Sequence, residues 1–283
     1  MKIAISAEST IDVTKEVLSE YDIHVVPFSV LLGEKMGIDG EITPEEIFEY
    51  VDKNKTLPKT SAVNEFQYEE HFNKLFSEGY DAIIHFSLSS TLSSAFSNAK
   101  AVSEKMKNVF VIDTRTLSTG IALLAVYARK LANENVEPAE IAKKCSDRIG
   151  SVQASFVLNT VDYLHHGGRC SAMKKFGVNL LKLKPQIIVK DGKMESVRTY
   201  RGKNEIVIKN YCEDTFKDFN NPDLSVAFLT HSSASSEMIE AAKTSLEKRG
   251  FKNIYITTAG ATITSHCGPK CLGILYINDG LAK

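Results

Sequence analysis

The sequence lacks an apolar segment long enough to cross a membrane. Its longest apolar stretch, around Ile121–Ala128, falls far short of the ~20 residues that a spanning helix needs. The N-terminus runs from Met1 directly into a strand-like segment, without the apolar core of a signal peptide. We therefore expect a cytoplasmic protein with no transmembrane segment.

An excess of charge of either sign is also absent. The chain has 34 basic and 35 acidic residues, which gives a net charge of −1 at pH 7. Because nothing in this balance can neutralise a phosphate backbone, we expect no nucleic acid among the partners. The 283 residues, 43% of them hydrophobic, are enough for one large or two ordinary domains with a sizeable core.

Cysteine is scarce, and its number is odd. The five cysteines are Cys145, Cys170, Cys212, Cys267 and Cys271. An odd number without a secreted context favours reduced thiols in a cytoplasm. The spacing of Cys267 and Cys271 beside His266 is compatible with a metal, but a second pair of ligands is missing. We predict five free thiols and no metal site.

Motifs for nucleotide binding and for serine hydrolysis are missing as well. The sequence has no G-x-G-x-x-G, no Walker A lysine and no G-x-S-x-G elbow. No recognised motif pairs a nucleophile with a general base. The chain therefore favours a binding protein with no catalytic residues. A small-molecule phosphotransferase subunit or a hydrolase using Ser93 and His266 is the alternative.

The first half of the chain alternates strands and helices. Short apolar runs at Lys2–Ser6, Ala82–Ser87 and Val109–Asp113 have the length and β-branched content of buried strands. Each is followed by residues with helical periodicity. This alternation predicts that residues 1–150 form a parallel sheet flanked by helices, which is an α/β domain.

The alternation of strands and helices ends near residue 150, and beyond it predicted strands outnumber predicted helices. The predicted strands are Gln153–Leu158, Pro185–Val189, Met194–Tyr200, Leu224–Thr230, Asn253–Thr258 and Gly273–Asn278. Helical stretches near Glu205–Phe216 and Ser235–Lys248 interrupt them, and Asp191-Gly192 predicts a hairpin turn. Residues 151–283 are thus predicted to form an α+β domain with a largely antiparallel sheet. We expect the ligand between the two domains.

A cluster of hydroxyl side chains follows the predicted strand Ala82–Ser87. Six Ser or Thr residues occupy the eight positions 87–94. Helix capping explains one such hydroxyl. The free N–H groups and the helix dipole at this place also favour an anion, and neutral hydroxyls suit a carboxylate that must bind reversibly. Local sequence leaves both interpretations open.

Two other polar segments have a structural and a functional interpretation. Gly167-Gly168-Arg169 is typical of a helix C-cap followed by a chain reversal, with Arg169 paired to a neighbouring acid. We expect His266 to lie in a Gly/Pro loop, where a histidine is more often structural than catalytic.

Taken in order, these segments resemble the DegV family, whose members are bacterial fatty-acid carriers that present the acid to a separate kinase. The resemblance covers essentially the whole chain. The matching segments are Glu8-Ser9-Thr10-Ile11-Asp12, Asp39-Gly40, Thr60-Ser61, Ser89-Ser90-Thr91-Leu92-Ser93-Ser94, Asp113-Thr114-Arg115, Ser118-Thr119-Gly120 and Gly167-Gly168-Arg169. The chain departs from the family pattern at Glu8, where Asp is usual, at Ser94, where Gly is usual, and at Lys270.

The resemblance implies a site and a ligand. Thr60, Ser61 and Ser93 would bind the carboxylate of a long-chain fatty acid, whose tail would lie in the apolar interior. His266 and a basic residue, Arg169 or Arg201, would lie at the mouth and assist presentation to a fatty acid kinase. The fatty acid would be a ligand, and no cofactor is implied.

Overall fold

A computed structural model describes residues 1–169 and 183–281 of the chain. The strands of these residues are β1 (Ile3–Glu8), β2 (Ile23–Val26), β3 (Ser29–Leu32), β4 (Lys35–Ile38), β5 (Lys59–Ser61), β6 (Ala82–Ser87), β7 (Val109–Asp113), β8 (Val152–Val157), β9 (Lys184–Lys190), β10 (Lys193–Tyr200), β11 (Val226–Ser232), β12 (Asn253–Thr258) and β13 (Cys271–Ile277). The helices are α1 (Lys15–Glu20), α2 (Pro44–Asn54), α3 (Glu65–Ser77), α4 (Ala95–Ser103), α5 (Thr119–Asn133), α6 (Pro138–Arg148), α7 (Asp162–His166), α8 (Asn204–Asp218), α9 (Ser236–Arg249) and α10 (Ala261–Cys267).

The first sheet is parallel and has the strand order β2-β1-β6-β7. Every residue of β1 and β6 is buried, because helices cover both faces of these central strands. Three of the four strands match the predicted ones, and the edge strand β2 was not predicted. The carboxyl ends of β1, β6 and β7 meet at one edge of the sheet, where ligand sites of such folds are found.

A small antiparallel sheet with the order β4-β3-β5 follows β2. The sequence did not predict this sheet. Its strand β5 carries two of the predicted site residues: Thr60 is paired with Val30, and Ser61 with Ser29. The sheet packs with α2 against α10, which comes from the far end of the chain.

The third sheet has the order β10-β9-β8-β13-β11-β12. All its pairs are antiparallel except β11 with β12, as the predicted largely antiparallel sheet requires. The predicted turn Asp191-Gly192 joins β9 to β10, and both residues have positive φ, 49° and 82°.

Helix α5 lies between the parallel and the antiparallel sheet and contacts strands of both. It contains the longest apolar stretch, Ile121–Ala128, most of which is fully buried. This explains why the stretch is apolar on all sides rather than on one stripe. Within the described residues, no helix combines the length and apolar character that a membrane crossing requires.

Candidate carboxylate and acyl-chain site

A cavity of about 280 Å³ is lined from both halves of the chain, beside the carboxyl end of β6. Much of its lining is apolar: Phe28, Leu88, Leu92, Leu117, Phe156, Leu164, Met194, Ile263 and Leu275. Hydroxyl side chains also line it: Thr60, Ser61, Ser93, Ser94, Ser118, Ser155, Thr230, Ser232 and Thr262. An apolar cavity with a few polar groups is suited to an amphipathic ligand.

The three predicted hydroxyls, Thr60, Ser61 and Ser93, line this one cavity. Thr60 and Ser61 reach it from β5, and Ser93 reaches it from the loop between β6 and α4. Thr60 and Ser93 are half-buried, whereas Ser61 is exposed. The cavity therefore has hydroxyls at a position that solvent can reach.

His266 lies in the last turn of α10 and not in the predicted loop, and it contacts the first of these hydroxyls. Its Nε2 is 3.0 Å from Oγ1 of Thr60. Burial and, after it, the charge of Arg169 lower the pKa of His266 to about 4, so the imidazole is neutral at pH 7. Its Nδ1 is buried and has no hydrogen-bond partner among the residues that the structure describes. Gly167 lies directly beside it, since a Cβ built on that glycine would be 2.6 Å from Nδ1.

The structure separates the two predicted basic residues. Arg169 is exposed and lines the cavity, and its Nη1 donates to the carbonyl of Gly167 at 2.7 Å. Arg201 is exposed just beyond β10 and is not among the described residues that line the cavity. The geometry therefore brings Arg169, but not Arg201, to the predicted carboxylate site.

Most hydroxyls of the 87–94 cluster bind to other parts of the protein instead of facing the cavity. Ser89 and Thr91 both donate to the carbonyl of Gly192 in the β9–β10 turn. Ser90 donates to Asp113 at 2.5 Å. These bonds fasten the loop to the neighbouring strand and to the antiparallel sheet, a role that local sequence did not reveal.

Two members of the cluster, Ser93 and Ser94, line the cavity. The Oγ of Ser93 also accepts the N–H of Ala95 at 3.2 Å, in the first turn of α4. Capping and cavity lining, which the sequence presented as alternatives, thus coexist in one hydroxyl.

A buried carboxylate that the sequence did not identify as functional lies directly under this loop. Glu8 is fully buried, and its Oε2 accepts the N–H of Leu88 at 2.9 Å. Its Oε1 accepts from Tyr68 at 2.6 Å and lies 3.1 Å from Nε2 of His85. Burial by itself raises the pKa of Glu8, but the charge of His85 and the hydrogen bonds outweigh burial and lower it. The position of Glu8 in the opening motif was the available signal.

Four cysteines are buried free thiols, and two of them, Cys267 and Cys271, line the cavity. The pKa of Cys271 is raised, first by its hydrogen bond with Cys267 and then by burial. Cys170 lies outside the described residues. The prediction of five free thiols can be tested by thiol titration of the denatured, unreduced protein.

Comparisons with known proteins agree over the full length of the chain. The model of a family described as "Uncharacterised protein, DegV family" matches residues 2–279. The chain is 29% identical over 282 residues to a fatty acid-binding protein of Thermotoga maritima, covering 96% of each. It is 26% identical to the structure of DegV, a fatty acid binding protein from Bacillus subtilis, with a TM-score of 0.84 and coverage of 99% and 100%.

A third likeness concerns the fold. The structure of a DegV family protein from Thermus thermophilus superposes with a TM-score of 0.89 at 24% identity, covering 99% of this chain and 100% of that one. The predicted fold class, a parallel sheet with helices followed by a mostly antiparallel sheet, is confirmed.

Proposed function

This chain belongs to the DegV family, and on that premise we propose that it binds a long-chain fatty acid and presents it to a partner kinase for acyl-phosphate formation. The observation that supports this most is the meeting of Thr60, Ser61, Ser93 and His266 at one cavity whose lining is otherwise largely apolar. The hydroxyls would hold the carboxylate, and the apolar side chains would cover the tail.

The tail would supply most of the affinity. Each buried CH₂ is worth ~0.8 kcal/mol, so a sixteen-carbon chain gains on the order of 10 kcal/mol before the cost of ordering it. The hydroxyls then need to orient the acid rather than to bind it tightly. A carrier that must release its cargo benefits from this division.

The neutral state of His266 fixes how Thr60 can act. A neutral imidazole has one N–H. If this hydrogen is on Nε2, the ring donates to Oγ1 of Thr60, and the hydroxyl hydrogen remains free to donate to a carboxylate. The opposite tautomer would place an N–H at the buried Nδ1, which has no acceptor among the described residues. We therefore assign the Nε2–H tautomer, which makes His266 a support for Thr60.

Presentation to a kinase requires the carboxylate end to be accessible. Ser61 and Arg169 are exposed, and both line the cavity. A carboxylate held between Thr60 and Ser93 would thus lie near solvent, where a partner could deliver a phosphoryl group. Arg169 would then face the negative charge of that group.

The alternative of an enzyme using Ser93 and His266 has less support. The Nε2 of His266 contacts Thr60, and the Oγ of Ser93 accepts from the backbone of Ala95. A serine nucleophile needs a base within hydrogen-bond reach. No such base is bonded to Ser93 among the described residues, so we propose a carrier without turnover of its own.

Native mass spectrometry of the purified protein should show a retained ligand. We expect an added mass of roughly 250–290 Da, the range of common fatty acids, because such a pocket buries nearly all of its ligand. Lipid extraction should then release a free acid. Protein that never carries or takes up a fatty acid would contradict the proposal.

Replacing Ser93 by alanine should weaken fatty-acid binding by about one order of magnitude or more, since a hydrogen bond to a charged acceptor is worth ~1.5–3 kcal/mol. Titration with the acid and with the fatty alcohol of equal length measures this. The alcohol should bind the wild type poorly and lose little in the variant.

Ser90→Ala is the matched control, because Ser90 lies in the same loop but bonds to Asp113. It should bind the acid like the wild type. Equal behaviour of Ser93→Ala and Ser90→Ala would show that the hydroxyl of Ser93 is only a cap.

A further inference from the structure

Helix α10, which carries His266, begins in an unusual way. The first N–H groups of a helix have no partner inside it, and a neighbouring side chain usually accepts from them. Here the residue before the helix is Gly260, which has no side chain. Its N–H donates to Oδ1 of Asp12 at 2.8 Å, and the N–H groups of Ala261 and Thr262 donate to Asp39 at 2.7 and 3.2 Å. Both carboxylates come from the other end of the chain.

The two carboxylates are held firmly where they are. Asp12 is 4% exposed and Asp39 is 7% exposed. Ser118 donates to Asp12 at 2.5 Å, and Ser9 donates to Asp39 at 3.1 Å. Burial raises the pKa of Asp12 well above its usual range, although the hydrogen bonds from Ser118 and Gly260 act in the opposite direction.

The glycine at the start of the helix fits this arrangement closely. A Cβ on Gly260 would lie 2.6 Å from Oδ1 of Asp39 and 3.3 Å from Oδ1 of Asp12. Its φ of −67° is ordinary for any residue, so the backbone conformation does not demand glycine. The requirement for glycine comes instead from the close approach of the Asp12 and Asp39 side chains.

The anchored end determines where the other end lies. Helix α10 has seven residues, which is too short to be stable alone, so its contacts decide its position. Thr262 and His266 are four residues apart, about 6 Å along the axis, and both line the cavity. If the hydrogen bond from the N–H of Thr262 to Asp39 were lost or displaced, His266 would therefore move relative to Thr60.

We propose that Asp12 and Asp39 are positioning residues of the carboxylate site, which hold α10 so that His266 meets Thr60. Asp39 follows β4, and Thr60 lies on β5 of the same small sheet, so one structural unit presents both the anchor and the hydroxyl. The inference rests on the proposed function only in taking Thr60 and His266 as part of a fatty-acid site.

The test uses Asp39→Asn, which keeps the side-chain shape but removes one acceptor oxygen. The nitrogen signals of the His266 ring, assigned in long-range ¹H–¹⁵N spectra with the help of His266→Ala, should shift in the ligand-free variant. The affinity for palmitate should fall about tenfold. This is the loss expected when the hydrogen bond from Thr60 to the charged carboxylate of palmitate is weakened.

Asp223→Asn is the matched control. Asp223 is also buried and accepts the N–H and the hydroxyl of Ser225, but it is not among the described residues lining the cavity. When Asp223→Asn is folded to the same fraction as Asp39→Asn, its His266 ring signals and its affinity for palmitate should equal those of the wild type.

The outcomes separate the two proposals. Unchanged ring signals in Asp39→Asn, or an equal loss of affinity in both variants, would overturn the positioning role. Shifted ring signals in a protein whose wild type binds no fatty acid would keep the positioning role and refute the proposed function. If Asp39→Asn does not fold, Ser9→Ala must shift the same signals to a smaller extent, and an unchanged ring would again overturn the role.

Discussion

Replacing Glu8 by glutamine should lower the free energy of unfolding by about 2–3 kcal/mol, the cost typical of leaving a buried hydrogen-bond donor without its charged acceptor. The side chain has no exposed surface, and the groups around it donate to its oxygens. Tyr68 and Ser87 donate to Oε1 at 2.6 and 2.7 Å, and Leu88 donates to Oε2 at 2.9 Å. An amide must turn its own N–H₂ towards one of these donors. Denaturant unfolding at pH 7 measures the loss.

Tyr68→Phe is the smaller comparison, because it removes one donor and leaves the charge. It should cost about 1 kcal/mol, the usual net value of one hydrogen bond. A Glu8→Gln protein within about 1 kcal/mol of the wild type would contradict the account of Glu8 as an ionised group held by buried donors.

The difference between wild type and Glu8→Gln should also depend on pH. Since the folded pKa of Glu8 is lowered below 4.5, its contribution is present above that pH and is lost as the pH falls through the folded pKa. The two proteins should therefore converge in acid. A difference that grows as the pH falls would have the wrong sign.

Among the strands that sequence patterns predicted, the two central strands of the parallel sheet have every side chain buried. Strands β1 and β6 are buried throughout, so their apolar runs stand out. Strand β2 has four residues, two of them half-buried, and β5 has three with none buried. Such short strands are defined by their partners, because their own composition has no period to detect.

The sequence motifs identified residues that line one cavity, but the sequence did not reveal the hydrogen-bond partners of the residues around them. Thr60, Ser61 and Ser93 do line one cavity. Yet Ser89 and Thr91 donate to a carbonyl about a hundred residues away, and Asp39 caps a helix 222 residues later. Hydrogen bonds of this range leave no local periodicity, so a run of hydroxyls looks the same whether it faces a ligand or another loop.

Gly167→Ala should weaken fatty-acid binding by roughly ten- to a hundredfold, equivalent to the ~1–3 kcal/mol that overpacking costs. Gly167 ends α7 with φ of −67°, so alanine suits its backbone. The added Cβ would lie 2.6 Å from Nδ1 of His266 and 3.0 Å from the carbonyl of Tyr163. Either the ring moves away from Thr60, or α7 separates from α10. Fatty-acid titration of the folded variant measures the loss.

Gly150→Ala is the control for adding a methyl group to a glycine, because no heavy atom lies within 4 Å of its Cβ position. It should bind like the wild type. A double-mutant cycle then identifies the cause: in a His266→Ala background the ring is gone, so Gly167→Ala should have little further effect on affinity. If the two losses instead add in full, Gly167 acts through the packing of α7, and the role assigned to its contact with His266 is wrong.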